Sequence, residues 1–337
     1  PGAIRGRRGP PPPARAGQGQ RAMRAFHSYV LVYAARQRPA RVGPLARLPR
    51  PEQYDAMKDA DKNALGLEAG IHTDFSRSMS YADYLHLDKI LGAQQPRSKA
   101  HDELLFIVIH QATELWLKLM HHEVVAAQGM IRDRNLQLAF KMLARVSRIQ
   151  AQIIQSWDVL STLTPADYMS FRDALGQSSG FQSYGYRLLE FALGNRHAAL
   201  VAPHRHDSAL AQRLDAALDE PSLYDDAVRL LADRGFAIDG AVLERDVRQS
   251  WQPNDSVKTA WREIYRQTDT HWELYQLAEK LVDVEDWFQQ WRFRHMKTVE
   301  RIIGMKPGTG GSSGVRYLKQ ALDYTFFPEL WQLRTEL

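Results

Sequence analysis

Two histidines in apolar surroundings are the first residues of this 337-residue chain whose setting suggests chemistry. His295 shares a helix-spaced stripe with Trp287, Trp291, Val299 and Ile302, and His110 falls one turn after Phe106, beside Ile107 and Ile109. A neutral imidazole on such a face is either a core histidine satisfied by a hydrogen bond or part of a haem site, with one imidazole on the iron and one opposite. Spacing alone leaves both readings open. Tyr168 and Arg172 form a second pair at i and i+4, so phenol and guanidinium leave one helix face together. An Arg fork binds a carboxylate through two parallel hydrogen bonds. That carboxylate is either a structural Asp or Glu or part of a ligand, and a free carboxylate beside an apolar histidine pocket would suit an aromatic amino acid.

Other chemistries fail on composition or spacing. The chain has no Cys, which excludes a disulfide framework, a thiolate nucleophile, Cys-ligated zinc, iron–sulfur clusters and thiolate-ligated haem. His122-Glu123 lacks the second histidine of a zinc protease, because position 126 is Ala, and no Glu has a His three residues on, as a di-iron bundle needs. The glycine-rich run Gly308–Gly314 follows a helical pattern, lacks a Gly-Lys-Ser/Thr ending, and has Ser313 where a dinucleotide loop needs its third Gly. No Gly-x-Ser-x-Gly elbow sits between a strand and a helix, as a serine hydrolase needs.

The elements that must position these residues are helical from Ser80 onward. Helices are predicted from Ser80 through Leu91 and over 101–131, 136–160, 165–175, 183–193, 207–218, 222–234, 256–278, 281–303 and 314–324. Thr164, Pro165 and Asp167 make a strong start signal, and Gly304 with Pro307 a stop. No 20–50-residue repeat occurs, so the expectation is a large all-α, single-domain helical bundle over 57–337, not a solenoid.

The net charge of +5 belongs to one segment. Residues 1–51 hold 11 Arg, no Lys and no acid, which leaves 33 basic against 39 acidic residues in the remainder. Residues 1–56 also hold 9 of the 16 prolines, and they cannot bury enough apolar surface to offset their ordering entropy. They are expected to be a disordered Arg/Pro-rich tail, outside the working protein as upstream translation before Met57. A transit peptide and an RNA-binding arm are the alternatives. No run approaches the roughly 20 apolar residues of a membrane span, and a cytoplasmic protein without nucleic-acid or membrane partners is expected.

Five blocks carry a family resemblance: Phe106-Ile-Val-Ile-His110-Gln-Ala-Thr-Glu-Leu-Trp116, Tyr168-Met-Ser-Phe-Arg172-Asp, Ser178-Ser-Gly180-Phe-Gln-Ser183, Trp291-Arg-Phe-Arg-His295-Met and Gly308-Thr309-Gly-Gly-Ser-Ser-Gly314. In family order from about Gly70 to Leu337, they closely resemble the tryptophan 2,3-dioxygenases. The resemblance implies haem b, ferrous when active, and insertion of both atoms of O2 across the indole C2–C3 bond of L-tryptophan to give N-formyl-L-kynurenine, the first step of the kynurenine route. It implies His295 as the iron's axial ligand and His110 as the distal residue meeting the indole N–H. Arg172 would clamp the substrate carboxylate with Tyr168 beside it, Thr309 would meet the ammonium from a mobile Gly-rich lid, and Phe106 would wall the indole. Trp157, Ser179 and Gly180 would adjoin the haem. The resemblance also implies a homotetramer, a dimer of dimers, in which Tyr81, Tyr84 and Leu85 reach a neighbouring subunit's pocket. A non-catalytic haem sensor or carrier is the competing reading, which would leave Arg172 and Thr309 without a task.

Overall fold

A short α1 (Tyr81–Leu85) and α2 (Leu87–Leu91) are the first helices in a computed structural model that describes residues 66, 67 and 70–337. The expected tail at 1–56 lies outside the described residues. Ser80 and Asp83 close a reciprocal capping box at the start of α1. The continuous helix expected from Ser80 to Leu91 is instead split at His86, whose φ of 51° is left-handed.

Three long helices follow the predicted periodicity. α3 (Glu103–Arg132) begins where Glu103 accepts the backbone N–H groups of Arg97 and Ser98, both at 2.7 Å. α4 (Leu136–Leu160) is capped by Asn135, whose side chain accepts from Leu138 N–H. α11 (Trp272–Ile303) follows α5 (Pro165–Phe171), α6 (Tyr184–Leu193), α7 (Ser208–Asp219), α8 (Leu223–Asp233), α9 (Gly240–Leu243) and α10 (Asp255–Arg266), and precedes α12 (Val315–Gln320) and α13 (Pro328–Gln332). Every regular element among the described residues is helical.

A second difference from the prediction concerns a boundary. Helices expected at 256–278 and 281–303 divide at 267–271, so the second becomes a single 32-residue helix. Local chemistry accounts for the shift. Thr268, Asp269 and Thr270 are weak helix formers, whereas Leu274, Leu277, Ala278, Leu281, Val284 and Phe288 run buried through 279–280 at spacings of three and four.

α4 lies against both α3 and α11, and their facing stripes make the main core. Leu117, Met120, Val124, Ala127 and Ile131 of α3 share that core with Ala139, Leu143, Val146, Ile149 and Ile153 of α4. Beyond Ile153 and Phe288 the same helices continue into a second, smaller cluster of Trp157, Leu160, Leu163, Tyr168, Phe171 and Ile302, with Leu105, Phe106 and Ile109 against it. The sequence-predicted site residues gather around this second cluster.

The C-terminal segment is locked by two fully buried carboxylates. Glu285 accepts the N–H groups of Phe326 and Phe327 and the Trp331 indole N–H, while Glu329 accepts from Trp251, Asn254 and Tyr224. Removing either acid would strand buried donors at about 1–3 kcal/mol each.

Candidate active site

α3 presents Phe106 and His110 one turn apart, with ring centroids 4.1 Å from each other. The Nδ1 of His110 lies 2.7 Å from the Phe106 carbonyl oxygen. A carbonyl only accepts, so Nδ1 carries the proton and Nε2 of the neutral ring is a free acceptor. Burial lowers the His110 pKa, and the Phe106 hydrogen bond opposes this only in part.

His295 comes from α11 and stacks on Trp157 of α4, with centroids 4.7 Å apart and planes 10° from parallel, while Trp291 lies 5.4 Å away. The surrounding protein pushes its pKa down to about 4. Burial is the main cause and the charge of His110 adds to it, so the His295 imidazole is held neutral. A neutral imidazole is the form that ligates a metal. His295 offers a single donor, so a metal on it must bring its other ligands, as a porphyrin does. Three buried donors in this region also lack partners: Trp157 Nε1, Trp291 Nε1 and Arg172 Nη1. Unsatisfied buried donors around two neutral histidines fit a site completed by a bound group with acidic edges.

Tyr168 is on α5, whose start is set by the Thr164–Asp167 capping box at the predicted position. Arg172 lies just past the α-helix, in a 3-10 turn spanning Arg172–Leu175, so the helix expected over 165–175 changes type at the Arg. The guanidinium carbon is 5.8 Å from the Tyr168 ring centre. One arm, Nη2, donates to the Pro307 carbonyl at 2.7 Å, and the other, Nη1, is the buried group without a partner. Burial raises the Tyr168 pKa and the Arg172 charge partly offsets it, so the phenol keeps its proton.

The Gly-rich run rests on the segment that follows Arg172. Thr309 donates its hydroxyl proton to the Ser178 carbonyl. At Gly310 a Cβ would stand 2.7 Å from the Ser179 Cβ, which explains the glycine there. Ser179 caps, and Gly180 begins, the 3-10 turn Gly180–Gln182. That turn is tied to α3 through Glu114, which accepts from the Ser183 hydroxyl and from Gly185 N–H at 3.3 Å. At Gly185 a Cβ would stand 2.6 Å from Glu114 Oε2 and 3.3 Å from the Leu117 Cβ, so a larger residue there would displace the Glu114 carboxylate.

The structure therefore gathers Phe106, His110, Trp157, Tyr168, Arg172 and His295 and sets Thr309, Ser179 and Gly180 on the adjoining segment. Tyr81 and Tyr84 stand apart from them, at 75% and 72% exposed, with Leu85 half-buried beside them. Sequence reasoning misses Phe171, 5.6 Å from Phe106 and 5.4 Å from Tyr168, although its i+3 spacing from Tyr168 is an available signal. It also misses the carbonyls of Pro307 and Ser178, for which side-chain patterns carry no signal.

Fold and site together define an all-α protein with two buried imidazoles, each with its pKa lowered by burial, and an Arg fork with one arm free of a partner. Residues 67–337 match the family model described as tryptophan 2,3-dioxygenase. Proteins of that name are similar along most of their length. One from Bacillus cereus is 58% identical over 281 residues, covering 83% of this chain and 100% of the relative. The one from Geobacillus thermodenitrificans is 58% identical over 276 residues, covering 82% and 99%. That from Ralstonia pickettii is 60% identical over 264 residues, covering 78% and 95%. The chain belongs to the tryptophan 2,3-dioxygenase family. No described helix is long and apolar enough to cross a membrane.

Proposed function

We propose that this chain is a tryptophan 2,3-dioxygenase that binds L-tryptophan between His110, Phe106 and Arg172 and converts it with O2 to N-formyl-L-kynurenine. Haem b held by His295 would supply the redox-active iron that activates dioxygen. The protein's own groups then act by holding and excluding. His110 Nε2, left as an acceptor by the Phe106 carbonyl, takes the indole N–H and orients the ring, with Phe106 as its wall. Arg172 Nη1 takes the substrate carboxylate, with the Tyr168 hydroxyl as an added donor. Thr309 meets the ammonium once its hydroxyl leaves the Ser178 carbonyl, so the Gly-rich loop acts as a lid. Held in one orientation next to dioxygen, the substrate needs no prior deprotonation at nitrogen, and proximity supplies much of the acceleration.

The observation that carries this reading is Arg172 Nη1, a buried guanidinium arm without a partner in the same region as two neutral histidines. A sensor or carrier would give it no task. The exposed tyrosines of α1 support a homotetramer in which Tyr81, Tyr84 and Leu85 complete a neighbour's pocket, and the family match over 67–337 supports 57–337 as the enzyme domain. The test is to mix reduced, haem-loaded protein with L-tryptophan and air. Accumulation of N-formyl-L-kynurenine absorbance is expected, and a flat trace with haem fully bound would overturn the reading.

A further inference from the structure

Glu114 follows His110 by one turn of α3, so the two side chains leave the helix on the same side. His110 belongs to the candidate pocket, whereas the Glu114 carboxylate reaches the start of α6. There one oxygen, Oε1, accepts the Ser183 hydroxyl proton, and the other, Oε2, accepts Gly185 N–H at 3.3 Å. Glu114 is exposed and fills no part of the hydrophobic core. Its packing therefore does not explain it, but its hydrogen bonds do. Ser183 is the N-cap of α6 and accepts from Tyr186 N–H at 3.1 Å, which leaves Gly185 N–H in need of a different acceptor. Glu114 supplies one from another helix, and its negative charge suits the positive end of the α6 dipole.

Ser183 also ends the segment on which the Gly-rich loop rests. Its N–H bonds the Gly180 carbonyl at 3.0 Å, and Gln182 N–H bonds the Ser179 carbonyl at 2.9 Å. The loop meets the other end of this segment, where the Ser178 carbonyl accepts the Thr309 hydroxyl and Gly310 lies against Ser179. A short run of bonded residues thus leads from α3, one turn past His110, to Thr309.

We propose that Glu114 is a positioning residue that sets the seat of the Gly-rich loop, and with it Thr309, in register with His110. It touches neither substrate nor haem. Without it, segment 178–183 is less tightly held and the loop has more positions to give up when Thr309 meets the substrate ammonium, so L-tryptophan binds less tightly. The proposal deepens the active-site reading and rests on Thr309 as a substrate contact.

The test combines Glu114→Ala with Thr309→Val in the haem-loaded full chain and reads equilibrium binding of L-tryptophan, with dioxygen excluded, beside amide exchange. Glu114→Ala alone should weaken binding about fivefold, no more than the Thr309 hydroxyl contributes, with the Soret band unchanged. Exchange at Gly308–Gly311 should quicken by about the same factor. In the Thr309→Val background the further loss should be at most about twofold, because the effect passes through a hydroxyl already removed. Glu114→Gln, which keeps an acceptor oxygen on a side chain of equal length, should retain most of the affinity. Unaltered affinity in Glu114→Ala, the full loss repeated on Thr309→Val, or unchanged exchange at Gly308–Gly311 would each overturn the proposal. Exchange needs no substrate, so quickened exchange in Glu114→Ala beside an unsubstituted chain that fails to bind L-tryptophan would strike the active-site reading and leave the seat standing.

Discussion

His295 and Trp157 sit inside the two long helices α11 and α4, whereas Arg172 and Thr309 sit where helices have ended and carbonyl oxygens hold them in place. The first pair is fixed by a stacked ring contact and by stripes that continue the main core. The second is held by hydrogen bonds to Pro307 and Ser178; on the proposed reading the substrate's carboxylate takes the free Nη1 of Arg172 beside the first, and its ammonium draws the Thr309 hydroxyl from the second. The contrast is a division of labour. On the proposed reading, groups that would hold a permanent cofactor stand on helices, and groups that would meet the substrate on each turnover stand on loops.

Substitutions can break this comparison at several points. His295→Ala should abolish both haem binding and activity, and loss of the Soret band is the check. Arg172→Ala should weaken L-tryptophan binding by on the order of 2–5 kcal/mol while haem stays bound. Equilibrium titration of the haem-loaded protein measures this, and unchanged affinity would place the carboxylate elsewhere. His110→Ala should leave haem in place and lower turnover only partly, and complete loss would show that His110 moves a proton. Thr309→Val should have the smallest effect, about 1 kcal/mol in apparent substrate affinity, as expected for one hydrogen bond.

The same contrast has a pH signature. Burial holds the His110 pKa below its ordinary value, so an unfolded chain takes up that proton before the folded one does. The contribution of His110 to stability is therefore complete above its ordinary pKa and falls as pH drops through and below it. Protonation would also remove the Nε2 acceptor. Apparent KM for L-tryptophan should thus rise on acidification, and that rise should vanish in His110→Ala.

Much of the helical side of the site is legible in the sequence. The stripe containing His295, the placement of His110 after Phe106 and the Thr164–Pro165–Asp167 start signal all follow from a 3.6-residue period and cap chemistry. The division at 267–271 escapes the pattern because the weak helix formers there are outweighed by apolar residues on both sides. The left-handed turn at His86 escapes it because a non-glycine residue gives no warning of positive φ. On the loop side, Arg172 and Thr309 can be read from the sequence but their anchors cannot, since the Pro307 and Ser178 carbonyls belong to the backbone. The stacking of Trp157 on His295 joins residues on two different helices far apart in the chain, and no local pattern records it.

His295 as the seat of the haem and His110 as its distal neighbour can be tested together. Titration of haem b into unsubstituted protein, His295→Ala and His110→Ala, followed by Soret absorption, does so most directly. One tightly bound haem per chain is expected in the unsubstituted protein and in His110→Ala, and none in His295→Ala. Haem retained by His295→Ala and lost from His110→Ala would contradict the assignment.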